Sequence, residues 1–213
     1  MHPKTTLLNF WKENFNFKIS ELDAFKEIER ENFIPEEIQH LAYEDTPLPI
    51  LRGKTISQPT TVMIMTSALE LKKGEKVFEI GTGSGYQTAL IGKIIGEKGR
   101  VITTEVIPEL IDYAEKNLKI SKLNNIELHE IDGSRGLQKE APFDKIILTA
   151  ACKDFPQELI EELKPNGIII GPIGNKNEQM MVKAIKQKNN DLEYEFLGPF
   201  LFSPLYGDYG FEV

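Results

Sequence analysis

The stretch "KVFEIGTGSGYQTAL", residues 76–90, carries the strongest structural signal in the chain. It opens with a short apolar run typical of a buried strand and closes with an apolar helical pattern. Three glycines lie between the two, at Gly81, Gly83 and Gly85. Glycine permits a tight turn and a close approach of ligand to backbone, and the start of the helix offers unpaired N–H groups. The stretch therefore predicts a strand, a ligand-binding turn and a helix.

Strands and helices alternate along the rest of the chain. The predicted strands are 77–80, 101–104, 126–128, 145–148 and 167–170. The predicted helices between and after them are 86–96, 108–120 and 156–163. This alternation predicts an α/β fold with a doubly wound, mostly parallel sheet and helices on both faces. Two further extended runs, at about 178–186 and 192–202, predict an antiparallel hairpin at the sheet edge.

The N-terminal part lacks this alternation and is predicted to be mostly helical. Its predicted elements are an amphipathic helical segment over 5–32, a short helix over 35–42, a loop over 44–58 and a helix over 59–71. Ser57 precedes the last helix and is a candidate cap. We therefore expect an N-terminal helical segment with a substrate loop at 1–58 and an α/β core at 59–213, within one compact domain.

The composition of the chain limits the classes of function that it can have. The chain has 213 residues, a formal net charge of -8, one cysteine and three histidines. The negative charge disfavours nucleic-acid binding, and the scattered histidines predict no metal site. A single cysteine predicts no disulfide framework and fits a reducing compartment. With neither a signal peptide nor a membrane span in sight, we expect a cytoplasmic protein that does not bind membranes, and a monomer.

The spacing of the glycines indicates the ligand. The dinucleotide fingerprint places a third glycine three positions after the second, where this chain has Tyr86. Glu79 precedes the turn and would repel a phosphate. Glu105, after the next predicted strand, can accept hydrogen bonds from ribose hydroxyls. S-adenosylmethionine, an adenosine ligand with ammonium and sulfonium charges and no phosphate, fits this pattern.

A second turn, in "EIDGS" at residues 130–134, follows the third predicted strand of the core. Asp132 can accept from an adenine amine above Gly133, although a simple Asp-Gly turn is the alternative. The candidate cofactor-binding residues are Ile56, Glu79, Gly81, Thr82, Gly83, Ser84, Gly85, Glu105, Asp132 and Gly133.

The methyl acceptor is constrained mainly by elimination. The segment 149–152 lacks the Asn/Asp-Pro-Pro-aromatic loop of enzymes that methylate base amines. Cys152 lacks the neighbouring proline of a cytosine C5 nucleophile and reads better as a small buried residue. A carboxylate, already nucleophilic at neutral pH, remains the favoured acceptor. Ser57 can donate to such a carboxylate, or it can merely cap the helix.

Several segments resemble the protein-L-isoaspartate O-methyltransferase family. They are "ENFIPEEIQHLAYEDTPLPI", "GKTISQP", "VFEIGTGSGYQTAL", "IDGS", "APFDKIILTAA" and "LKPNGIIIGPIG". The resemblance covers roughly residues 25–175. It implies methyl transfer from S-adenosylmethionine to the α-carboxylate of L-isoaspartyl residues in damaged proteins and peptides. The ester then collapses to a succinimide, whose hydrolysis restores some aspartate. It also implies that Ser57 is the active-site residue.

Some positions depart from the family pattern. Residues 51–54 read Leu-Arg-Gly-Lys where the family commonly has Gly-Tyr-Gly-Gln, and Lys153 is an added cation. We hypothesise that Arg52 and Lys54 form a positive funnel that offsets the net negative charge for anionic acceptors. Two alternatives stay open. One is a methyltransferase for another carboxylate, such as a biosynthetic peptide, and the other is a non-catalytic S-adenosylmethionine-binding protein.

Overall fold

The protein is described by a computed structural model that covers residues 3–211. The helices are α1 (Pro3–Asn14), α2 (Ile19–Glu27), α3 (Pro59–Ala68), α4 (Tyr86–Ile95), α5 (Pro108–Ser121) and α6 (Gln157–Glu162). The strands are β1 (Leu48–Pro49), β2 (Thr55–Ile56), β3 (Lys76–Ile80), β4 (Arg100–Glu105), β5 (Ile126–Glu130), β6 (Phe143–Leu148), β7 (Leu163–Gly174), β8 (Gln179–Lys186) and β9 (Leu192–Phe200). None of the helices within residues 3–211 is both long and apolar enough to span a bilayer.

Seven strands form the central sheet, in the order β5-β4-β3-β6-β7-β8-β9. The five strands from β5 to β7 run parallel, and β8 and β9 are added antiparallel. Nearly every residue of the central strands β3 and β6 is buried because both faces of a parallel sheet are covered. The predicted mostly parallel sheet with an antiparallel hairpin at its edge is confirmed.

Alternate residues of β3 contribute to two separate cores. Val77 packs in a cluster with Leu90 of α4 and Trp11 of α1. Phe78 packs on the opposite face with Leu159 of α6. The helices therefore cover both faces, which confirms the doubly wound architecture. The predicted division at residues 58 and 59 stays a prediction.

The segment over residues 44–58 differs from the expected loop. Leu48 pairs with Ile56 and Pro49 with Thr55 in a small antiparallel hairpin of β1 and β2. The connecting turn contains Arg52, at a φ of 58°, and a glycine that also adopts positive φ. The prediction of an irregular loop was wrong here because a two-residue strand rich in proline gives no alternating pattern. The hairpin holds the residues that follow it in a fixed place.

The helical segment predicted over 5–32 is divided into α1, α2 and a short 3-10 helix at Arg30–Phe33. Between α1 and α2, the rings of Phe15 and Phe17 stack with centroids 5.0 Å apart. Trp11 packs against Phe17 at 5.8 Å. These aromatic contacts turn the chain back on itself, so one amphipathic pattern covers several shorter elements.

The start of α3 is fixed by groups distant in sequence. Asp45 accepts from Thr60 through both the backbone N–H, at 2.8 Å, and the hydroxyl, at 2.6 Å. Trp11 donates to the same hydroxyl at 2.7 Å. The helix begins at Pro59 after Gln58, which makes no side-chain cap. The predicted cap at Ser57 is therefore wrong, since Asp45 satisfies the first turn instead.

Candidate active site

A cavity of about 520 Å³ opens at the carboxyl ends of the parallel strands. This volume lies within the roughly 300–1,000 Å³ of small-molecule sites. Three segments supply much of its wall: residues 54–58, the glycine turn at 81–84 and the C-terminal segment 199–206. Carboxyl ends of parallel strands are where open α/β sheets bind their ligands.

The glycine turn adopts a conformation that other residues strain to reach. Gly81, Gly83 and Gly85 have φ angles of +97°, +55° and +85°. The backbone N–H groups of Gly81 and Thr82 donate to the carbonyl of Thr104 at 2.9 and 3.0 Å. These bonds fasten the turn to the end of β4. Apart from Gly83 and its two chain neighbours, nothing lies within 4 Å of the position where a Cβ on Gly83 would sit, so the backbone there is accessible to a ligand.

Glu105 ends β4 and lines the cavity. One carboxylate oxygen accepts from the N–H of Gly83 at 3.0 Å. The other accepts from the N–H groups of Val106 and Ile107 at 2.9 and 3.1 Å. Since a carboxylate has about four acceptor positions, Glu105 can bind the turn and still accept from a ligand hydroxyl.

Glu79 lies behind the turn and does not line the cavity. It is fully buried, and one of its oxygens accepts from the hydroxyls of Thr88 and Thr103. Its other oxygen has no hydrogen-bond partner among the described residues. Burial raises the pKa of Glu79 to about 7. Thr103 is in turn bonded to Thr82 of the glycine turn at 2.7 Å, so Glu79 can act on a ligand through the turn. Direct contact stays a prediction.

Asp132 and Gly133 both line the cavity, at the end of β5. One oxygen of Asp132 accepts from the N–H of Ser134 at 3.0 Å, and the other accepts from the N–H of Asp208 at 2.9 Å. A Cβ on Gly133 would collide with the hydroxyl of Thr104. The Asp-Gly turn is therefore packed tightly against β4 and tied to the C-terminal segment. The predicted adenine contact stays a prediction.

Ser57 and Ile56 also line the cavity. The carbonyl of Ser57 accepts from Nη2 of Arg30 at 2.7 Å. Lys54 also lines the cavity, with Nζ 3.9 Å from the centroid of the Tyr206 ring. Ser57 is thus held by its main chain, and a cation stands a few residues before it.

Arg52 has a different environment. It is absent from the cavity wall, and its Nε lies 3.7 Å from a carboxylate oxygen of Glu109. The two cations of the hypothesised funnel are therefore not equivalent, because only Lys54 reaches the cavity.

The structure brings most of the predicted site residues together. Those lining the cavity are Ile56, Ser57, Gly81, Thr82, Gly83, Ser84, Glu105, Asp132 and Gly133. Glu79 and Gly85 do not line it. A Cβ on Gly85 would come within 3.0 Å of the Leu118 side chain, so this glycine lets α4 and α5 pack closely.

Sequence reasoning missed the C-terminal segment Pro199–Tyr206 as a wall of the cavity. Ser203 accepts from the N–H of Ala151 at 2.9 Å, and Leu205 donates to the Ala151 carbonyl at 2.8 Å. These bonds hold the segment that follows β9 against the cavity. A cluster of proline, glycine and aromatic residues in "SPLYGDYG" was the available signal, but it does not reveal what the segment covers.

Cys152 is fully buried, and burial raises the pKa of its thiol to about 12. A thiol that stays protonated is a poor nucleophile, which agrees with its interpretation as a packing residue. Within residues 3–211, no group of three or more His, Cys, Asp or Glu side chains could hold a metal ion. The metal-free site remains a prediction.

Comparison with known proteins assigns the family. Residues 4–209 match the family model described as protein-L-isoaspartate(D-aspartate) O-methyltransferase. The chain belongs to this family. The resemblance over residues 25–175 is thereby confirmed and extended to almost the whole chain.

Individual relatives agree with this assignment. The protein-L-isoaspartate O-methyltransferase 2 of Archaeoglobus fulgidus is 42% identical over 201 residues, which span 94% of this chain and 91% of that protein. A solved protein-L-isoaspartate O-methyltransferase matches with a TM-score of 0.87 and 27% identity, covering 97% of this chain and 67% of the other. A Plasmodium falciparum protein, solved in complex with S-adenosyl-L-homocysteine, has the same fold with a TM-score of 0.85 at 24% identity over 97% of this chain and 99% of that one.

Proposed function

We propose that this chain transfers a methyl group from S-adenosylmethionine to the α-carboxylate of L-isoaspartyl residues in damaged proteins and peptides. The observation that carries the proposal is the meeting of Ser57 and Glu105 in one cavity. The two residues come from the Thr-Ile-Ser segment and the sheet edge of a chain that matches the family over residues 4–209. The function is therefore the repair of isoaspartyl damage.

The cavity fits the cofactor. It has the volume of a small-molecule site, and its backbone at Gly83 is unobstructed. Glu105 has about one acceptor position left for a ribose hydroxyl, and Asp132 lies where an adenine amine can reach it. When bound, S-adenosylmethionine supplies a methyl group on a positively charged sulfur. The glycine turn, Glu105 and Asp132 would hold it.

The protein residues contribute positioning rather than proton transfer. A carboxylate acceptor is ionised at neutral pH, so it needs no general base. Ser57 lines the cavity, and no cap of α3 engages its side chain. Its hydroxyl can therefore donate to the acceptor carboxylate. Fixing the acceptor in line with the methyl donor supplies much of the rate, and the hairpin of β1 and β2 gives Ser57 that fixed position.

The segment 199–206 completes the enclosure. It lines the cavity, and its Tyr206 packs on Lys54 of the segment 54–58. By covering part of the cavity, the segment would limit the access of water to the reacting carboxylate and strengthen the electrostatic interactions inside. We further propose that the protein works as a cytoplasmic monomer without nucleic acid. The net charge of -8 supports the absence of nucleic acid, and the single buried thiol of Cys152 fits a reducing compartment.

A matched pair of peptides tests the function. One contains L-isoaspartate and the other L-aspartate at the same position, and both are incubated with the enzyme and radioactive S-adenosylmethionine. We expect labelling of the isoaspartyl peptide and little or none of its twin. Equal labelling would argue for a less selective carboxyl methyltransferase. Binding of the cofactor with labelling of neither peptide would identify a non-catalytic binder or an enzyme for another carboxylate.

A further inference from the structure

A buried cation stands directly behind the active-site serine. Arg30, in the 3-10 helix at Arg30–Phe33, has no exposed surface. Its Nη2 donates to the carbonyl of Ser57 at 2.7 Å, across 27 residues of sequence. The wall that carries Ser57 is therefore fastened to the interior by a charged side chain that does not itself line the cavity.

This cation is not neutralised by an ion pair. Within residues 3–211 no carboxylate lies within salt-bridge distance of Arg30, and its Nε and Nη1 have no hydrogen-bond partner. Burial lowers the pKa of Arg30 to about 10, so the guanidinium is still protonated at neutral pH. Asp45 and Glu31 interact with the guanidinium only at longer range. A buried charge without an ion-pair partner acts over a longer distance than an exposed one, because the surrounding dielectric is low.

The same guanidinium contacts the other side of the site. Its Cζ lies 5.0 Å from the centroid of the Tyr86 ring. Tyr86 begins α4 immediately after the glycine turn and lines the cavity. Its ring also packs on Phe33 at 5.3 Å. Arg30 thus joins the Ser57 wall to the base of the cofactor turn.

We propose that Arg30 is a positioning residue for methyl transfer: it holds Ser57 at the cavity wall and places a fixed positive charge behind the site of the acceptor carboxylate. The inference rests on the proposed function, since an anionic acceptor is what the charge would attract. The positive charge of Arg30 would also offset the net charge of -8, which repels anionic acceptors.

A purely structural role is the competing explanation. Arg30 would then only fill the space between Tyr86 and Ser57, and its loss would lower stability without a selective effect on the acceptor. Three variants separate the two roles. Arg30→Met keeps most of the side-chain volume but removes the charge and the hydrogen bond to Ser57. Arg30→Lys keeps the charge with a single donor group. Phe33→Leu weakens the packing of the same 3-10 helix without changing a contact to Ser57.

The experiment measures kcat and KM for an isoaspartyl peptide, the Kd of S-adenosylhomocysteine by calorimetry, and the thermal midpoint of each variant. Kinetics are recorded well below the lowest midpoint. We expect Arg30→Met to lower kcat/KM for the peptide about tenfold or more, and Arg30→Lys about threefold, because a hydrogen bond to a charged group is lost or weakened. The cofactor Kd should stay within about twofold in both, and Phe33→Leu should lower the midpoint while keeping kcat/KM near wild type.

Normal kcat/KM in Arg30→Met, beside a lowered midpoint, would overturn the inference. So would a loss of cofactor affinity that parallels the loss of activity. If Arg30→Met does not fold, the test becomes a comparison of Arg30→Lys with Phe33→Leu. Equal kcat/KM values for the peptide in these two variants would contradict the proposal. A wild-type enzyme that methylates no isoaspartyl peptide would instead overturn the proposed function, and the inference with it.

Discussion

The two sides of the cavity are built in different ways. On the cofactor side, the glycine turn and Glu105 belong to adjacent parallel strands, β3 and β4. On the acceptor side, the wall combines residues 54–58 with the segment 199–206, which are about 140 residues apart in the sequence. The cofactor side is a local supersecondary unit, whereas the acceptor side exists only once the whole chain has folded.

This difference explains what the sequence predicted. The turn at 81–85 and the acid at Glu105 follow from spacing alone, because a strand, a tight turn and a helix leave few other conformations. The wall at 199–206 depends on backbone bonds between Ala151 and the C-terminal segment. No periodicity in either segment encodes that pairing.

The sequence also failed to predict two contacts of the N-terminal part, because both join residues that are far apart in the chain. Asp45 satisfies the start of α3 from 15 residues away, and Arg30 reaches the carbonyl of Ser57 from 27 residues away. Local rules placed a cap at Ser57 because they consider only adjacent residues. The family resemblance, by contrast, indicated the role of Ser57 without any knowledge of these contacts.

The two sides also differ in the charge that lies behind them. Glu79 is buried under the cofactor turn, and Arg30 is buried behind Ser57. Arg30 is opposite in sign to the proposed acceptor, which is a carboxylate. Burial raises the pKa of Glu79 to about 7, so this carboxyl is only partly ionised at neutral pH. The acceptor side therefore has a permanent positive charge behind it, whereas the charge behind the cofactor side depends on pH.

The largest effect is expected from blocking the cofactor side. Gly83→Val places a β-branched residue at a φ of +55°, where its side chain would enter the open space of the cavity. We expect no measurable binding of S-adenosylhomocysteine by calorimetry. Gly96→Val is the control, because Gly96 has a φ of +70° with equally open surroundings at the far end of α4.

Both substitutions should cost roughly 1–3 kcal/mol of stability through backbone strain. Only Gly83→Val should lose the ligand. Retained affinity in Gly83→Val would show that the ligand does not approach this turn, and equal losses in both variants would attribute the effect to strain.

A smaller effect concerns the buried acid of the cofactor side. The pKa of Glu79 is raised from 4.5 to about 7 by burial, so the fold prefers the neutral carboxyl. Its contribution to stability is fully present below pH 4.5 and is lost as the pH rises through 7. Relative to wild type, Glu79→Gln should therefore become more stable between pH 5 and pH 8, by on the order of 1 kcal/mol or more.

Urea unfolding without ligand, at pH 5 and pH 8, measures this change. Glutamine can still accept from Thr88 and Thr103, so the comparison isolates the charge. Glu130→Gln, at an exposed position on β5, is the control and should track wild type. If Glu79→Gln also tracks wild type at both pH values, the carboxyl is not held neutral by its burial.

The smallest effect is expected at the entrance of the acceptor side. Lys54 lines the cavity, whereas Arg52 lies beside Glu109. Lys54→Gln should lower kcat/KM for an acidic isoaspartyl peptide a few-fold at low salt. Salt should reduce the difference, because attraction between charges is screened beyond about 10 Å at 0.1 M. Arg52→Gln is the matched control. Parallel salt curves for wild type and Lys54→Gln would exclude a positive funnel at this position.

The central claim is that one side of the cavity binds the cofactor and the other side binds the acceptor. It is tested most directly by the Kd of S-adenosylmethionine, measured by calorimetry in Glu105→Ala and Ser57→Ala. Glu105→Ala should weaken binding by about 1.5–3 kcal/mol, since it removes hydrogen bonds to a charged group and loosens the turn. Ser57→Ala should keep the wild-type Kd within about twofold while its turnover of an isoaspartyl peptide falls. Equal losses of cofactor affinity in the two variants, or full turnover in Ser57→Ala, would contradict the division of the cavity into a cofactor side and an acceptor side.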